Sequence, residues 1–177
     1  MYKWSPIENL PDDLLHYTHD NLHSLADIWN QQKARLKETN VIRLFEERLR
    51  RSAAIETGII ENLYTIDRGI TRILIEQGID ASLIPHGATD KPALQVVAII
   101  RDHEQAIEWV MDYVAHQREL STSFIKQVHQ LLTRNQDTTE AVDQFGKIGL
   151  VSLIKGNWKK FPNNPMRKDG EIHEYCP

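Results

Sequence analysis

The chain has 177 residues, 41% hydrophobic and 26% charged, with a formal net charge of −4 and a pI near 6.1. That composition belongs to a globular protein large enough for one sizeable core, and its mild acidity excludes a general attraction to nucleic acid or anionic membrane. The single cysteine, Cys176, cannot close an internal disulfide, and no apolar run nears the roughly 20 residues that span a bilayer, so the chain reads as cytoplasmic.

Residues 1–12 are irregular, with Pro6 and Pro11. Leu22, Leu25, Trp29 and Leu36 then recur at helical spacing, as do Val41, Leu44, Phe45 and Leu49, with Thr39-Asn40 between the two segments as a candidate cap. A third helical stretch carries Ile59, Ile60, Leu63, Ile66, Ile70, Ile73 and Leu74, with Gly78 placed to end it. Residues 84–92, with two prolines and a glycine, form the clearest internal break. A long helix follows, striped by Val96, Ile99, Ile100, His103, Ile107, Val110 and Val114. Ser121 caps a shorter one whose core-facing stripe reads Leu120, Ile125, Val128, His129 and Leu132.

Beyond it, residues 135–140 read as a polar loop and 148–154 as a strand. Residues 156–175, with Trp158, Phe161, Ile172, Tyr175 and an Asp169-Gly170 turn signal, read as a two-armed hairpin. The expected fold is mainly α, a helical bundle with one late β-hairpin. Its organisation is a helical region over 1–49 followed by a second part over 50–177. Residues 171–177 read as the middle of a structured segment, which predicts that the domain continues past Pro177.

Several chemistries find no pattern. No phosphate-cradling Gly-x-x-x-x-Gly-Lys-Ser/Thr loop, dinucleotide Gly-x-Gly-x-x-Gly turn or nucleophile elbow occurs. His16, His19 and His23 could share one helical face and a zinc ion, but an exposed polar face is the better explanation, and no metal site is assigned.

Three segments carry a resemblance. Thr57, then three residues, then Glu61-Asn62 fits a Ser/Thr, three variable residues, Glu, Gly/Asn pattern; Ser52 to Glu56 is a second register, with Thr57 where Gly or Asn belongs. Leu120-Ser121-Thr122 through Leu132 follows. Last comes Gly156-Asn157-Trp158-Lys159, closing at Tyr175-Cys176-Pro177. In this order, across residues 50–177, they resemble the inhibitory helix, the helix before the flap, and the flap of Fic-family AMP-transferases that carry their inhibitor upstream of the catalytic core.

The resemblance implies a division of labour. Glu61 is the inhibitory carboxylate: it occupies an active-site guanidinium and lies where an ATP γ-phosphate oxygen should sit, blocking by charge and by pairing. Thr57 helps fix its helix. The flap, from Gly156, Asn157, Trp158 and Lys159 onward, docks a protein target as an added strand and sets the register of the modified hydroxyl. Lys159, Lys160, Arg167 and Lys168 make that segment locally basic. The family's His-Pro-Phe-x-Asp/Glu-Gly-Asn-Gly-x-x-Arg signature is missing from the 177 residues. The chain by itself is therefore read as catalytically incomplete, without a catalytic residue or cofactor of its own. ATP and magnesium are expected for the complete protein adenylyltransferase. Partners are a protein target and, as family members often self-associate, a second copy. The alternative is a stand-alone, non-catalytic inhibitor acting on a partner chain.

Overall fold

The computed structural model describes residues 19–37, 40–142 and 146–158. The chain divides into two units, one of residues 1–40 with 159–177 and the other of residues 41–158. The described residues form five α-helices, one 3-10 turn and one β-hairpin, so the fold is mainly α with a hairpin late in the chain. No helix among them is long and apolar enough to cross a membrane.

In the first unit, α1 (Asp20–Leu36) carries the expected apolar spacing, and its Leu22, Leu25, Ile28 and Trp29 are exposed. Thr39, the candidate cap, lies outside the described residues.

The second unit is built on α2 (Asn40–Ile60), α3 (Arg68–Gln77), α4 (Ala93–Ala115) and α5 (Thr122–Leu132). Its core gathers Ala54 and Ile55 of α2, Tyr64, Leu74 of α3, Ile79, Ile84, and Val96, Val97, Ile99 and Ile100 of α4. Each fully buried aliphatic side chain here contributes about 1.5–3 kcal/mol by leaving water. The α4 stripe is buried from Val96 to Ala106, whereas Val114 near its end is exposed.

The expected third helix divides differently. Ile59 and Ile60 end α2, and the chain breaks before α3 begins at Arg68. Asp67 caps α3 by accepting from Gly69 N at 2.6 Å, and Gly78 ends it as expected, at φ +118°. The 84–92 break is confirmed as turns, preceded by a short 3-10 turn at Ala81–Leu83 that Asp80 caps through Ser82.

α4 packs against α5 through aromatic rings. Phe124 stacks on Tyr113 (centroids 3.7 Å, 17° between planes) and meets Trp109 edge-on (5.1 Å). Ser121 caps α5 through Phe124 N. Phe124 is the residue of α5 that is buried, while Leu120 and Ile125 of the expected stripe are exposed, because α5 is covered on its α4 side.

The described hairpin is not at 156–175. It pairs β1 (Thr138–Val142) with β2 (Ile148–Ser152), antiparallel, with Val142 opposite Ile148 and Thr138 opposite Ser152. The segment read as a polar loop thus supplies most of a strand, and the expected strand ends at Ser152. Of the 156–175 segment, residues 156–158 are described, with Gly156 in a turn that begins at Lys155; 159–175, including Lys159, lie outside the described residues.

Candidate functional site

Thr57, Glu61 and Asn62 stand at the C-terminal end of α2. The helix closes with two reversed bonds: Leu63 N donates to Gly58 O (2.9 Å) and Asn62 N to Ile59 O (3.0 Å). Asn62 takes φ +54°, the left-handed conformation that this closure needs and that asparagine tolerates better than most residues. A Gly/Asn requirement after the glutamate therefore has a local cause in this chain: it is the residue that turns the backbone out of the helix. Glu61 is the last residue before that turn. Its side chain is exposed, and among the described residues it takes part in no side-chain hydrogen bond or ion pair. A carboxylate here sits at the negative end of the helix dipole, an unfavourable place that a nearby cation would relieve.

The second register differs. Glu56 lies within the helix and accepts from the Ser52 hydroxyl at 2.9 Å. Thr57, which would take the Gly/Asn place, is helical. Opposite this end, Gly58 is buried against the Tyr64 ring, and the Tyr64 hydroxyl donates to Ile55 O at 3.0 Å. Burial pushes the Tyr64 phenol well above its usual range.

His103 of α4 lies beneath α2, 3% exposed, with Nδ1 3.3 Å from Ala54 O. Burial holds its imidazole below the ordinary histidine value, against the opposing pull of the Ala54 bond and the charges of Asp102 and Glu61. Between the folded value and the ordinary one near 6.5, the unfolded chain binds more protons. Stability is therefore complete above about pH 6.5 and falls as pH drops through the folded value. Urea midpoints taken across this interval are expected to fall as the pH drops, and His103→Met to flatten the fall.

Next to it, Asp102 is 1% exposed and anchors the start of the hairpin. Its carboxylate accepts from Arg134 Nε (2.9 Å) and Nη2, from Asn135 N (3.1 Å) and from Asn135 Nδ2 (2.7 Å). Lys155 closes the base of the hairpin from the other side, donating to Arg134 O (2.7 Å) and Asp137 Oδ1 (3.0 Å). Trp109, Gln127, Gln130, Leu131, Arg134 and Lys155 line a shallow, open depression of about 410 Å³.

Of the residues expected to dock a target, Gly156 is half-buried and held by His129 of α5, whose Nδ1 accepts from Gly156 N at 2.9 Å. Asn157 and Trp158 are exposed, and Lys126 Nζ lies 5.2 Å from the Trp158 ring centre. The pairings Asp102–Arg134 and His129–Gly156 went unread in the sequence. A charged residue beside a buried stripe was the one signal for the first, and His129 was read as a stripe residue. His19 and His23 are exposed and His16 lies outside the described residues; no group of three or more His, Cys, Asp or Glu side chains suited to a metal occurs among the described residues.

No family model, curated protein or solved structure matches this chain.

Proposed function

We propose that residues 50–177 are the regulatory and target-docking part of a self-inhibited Fic-type AMP-transferase, which moves AMP from ATP-Mg to a protein hydroxyl. The observation that carries this reading is the end of α2. An exposed Glu61 carboxylate, without a side-chain hydrogen bond or ion pair among the described residues, is presented by a backbone closure whose left-handed residue is Asn62.

The physical argument is one of competition. Glu61 sits at the electronegative end of a helix, so a guanidinium brought to it is attracted by the carboxylate and by the helix dipole together. That same guanidinium is then lost to a γ-phosphate. Glu56 is a poorer candidate, since the Ser52 hydroxyl already engages it and it stands a turn back from the helix end. The basis for naming the family remains the ordered likeness of the three sequence segments.

The test is self-modification with labelled ATP in the full-length gene product. Glu61→Gly is expected to raise labelling about tenfold, the factor that ~1.4 kcal/mol of lost competition supplies. Unchanged labelling with Glu61→Gly, together with a rise for Glu56→Gly, moves the role to the other register. No labelling in any variant, with the chain suppressing a separate transferase in trans, replaces the reading with that of a partner-directed inhibitor.

A further inference from the structure

We propose that His129 is a positioning residue for the docking segment: its unprotonated Nδ1 holds the amide of Gly156 and so fixes where residues 156–158 begin. The functional meaning rests on the docking role proposed above; the bond itself stands on geometry.

Three ties join this segment to α5 and the residues just after it, and they run backwards along that stretch. Lys155 Nζ reaches Arg134 O, Gly156 N reaches His129 Nδ1, and the Trp158 ring lies beneath Lys126 Nζ. The segment therefore lies along the helix in the opposite chain direction, from its C-terminal end to two turns back. The ties at its two ends are an ammonium on a long flexible stem and a cation over an exposed ring, both adaptable. The middle tie is short and directional, since an imidazole nitrogen projects from a side chain with two torsions.

Gly156 is shaped for the same contact. Its φ is +67°, and a Cβ there would lie 3.1 Å from both Lys126 O and Gln130 Cβ. The backbone can approach α5 this closely because no side chain intervenes. The amide then points at a ring nitrogen that must carry a lone pair, which in neutral imidazole places the proton on Nε2.

The experiment uses the ¹⁵N-labelled chain with His129→Phe and His129→Asn, the latter keeping an acceptor oxygen close to the Nδ1 position. In the unsubstituted protein, ring nitrogen shifts are expected to show an acceptor Nδ1 and a protonated Nε2. In His129→Phe, Gly156 amide exchange is expected to rise about tenfold and the Trp158 indole resonance to move, with α5 amides still protected. His129→Asn is expected to return both towards the unsubstituted values. A protonated Nδ1, unchanged Gly156 exchange in His129→Phe, or equal loss in both variants overturns the proposal. These readouts need no transferase activity. Failure of the labelled-ATP assay with the exchange results intact thus marks the docking reading as the one that fell.

Discussion

Replacing Gly58 with alanine is expected to lower stability by about 2 kcal/mol, although glycine to alanine inside a helix ordinarily raises it by about 1 kcal/mol. The reversal comes from Tyr64. A Cβ on residue 58 would stand 2.5 Å from Cε1 and the hydroxyl of Tyr64 and 2.6 Å from its Cζ, closer than atoms tolerate. The ring has nowhere to go. It is 1% exposed, and its hydroxyl is bonded to Ile55 O on the same helix. Moving it sacrifices that bond, worth about 1 kcal/mol, and disturbs a core that resists overpacking by roughly 1–3 kcal/mol. Urea denaturation measures the effect, and the control is a change of sign: in a Tyr64→Leu background the same Gly58→Ala substitution is expected to stabilise. A stabilising Gly58→Ala in the unsubstituted protein would show that the ring is not held. Gly58 O also receives Leu63 N in the closure that presents Glu61. Crowding at residue 58 therefore disturbs the direction of the proposed inhibitory carboxylate as well as the core.

How much of this was readable beforehand depended on whether each feature has a local cause. α1, α4 and α5 show their apolar spacing within a few residues, and Ser121 and Gly78 mark ends by well-defined backbone chemistry. The α2–α3 boundary was misplaced because Leu63, Tyr64 and Ile66 turn back onto the core after the helix stops, so apolar residues continue across a break in structure. Asn62 followed by an apolar residue was the available signal, since that pair suits a left-handed helix end. The hairpin at 138–152 was missed for the opposite reason. Both strands are almost wholly exposed, so β1 lacks the apolar alternation that a half-buried strand shows. The polar ties have no period at all. Asp102 and Arg134 are 32 residues apart, and His129 and Gly156 are 27 apart. Of the candidate site, the sequence exposed the motif residues individually. What it withheld was that Glu56 is engaged by Ser52 while Glu61 makes no side-chain hydrogen bond among the described residues.

The second large effect is expected at Arg134. Arg134→Ala should cost about 3 kcal/mol, because it leaves the Asp102 carboxylate buried with only the two neutral donors of Asn135. The reverse deletion should cost less. Arg134 keeps 53% of its side chain exposed, so without Asp102 its charge returns to water, whereas Asp102 at 1% cannot. Asp102→Leu combined with Arg134→Leu should accordingly be more stable than Arg134→Ala alone, and a double-mutant cycle by urea denaturation measures the asymmetry. Equal costs for the two single deletions would mean that the carboxylate finds water on its own. The consequence extends past stability. The Arg134 carbonyl is one of the acceptors of the Lys155 ammonium, and Lys155 precedes the glycine held by His129. Loss of the buried pair frees the residues that carry this carbonyl, so Gly156 amide exchange should rise in Arg134→Ala even with His129 intact. In Asp102→Asn it should rise less, since an amide oxygen can still receive the Arg134 donors.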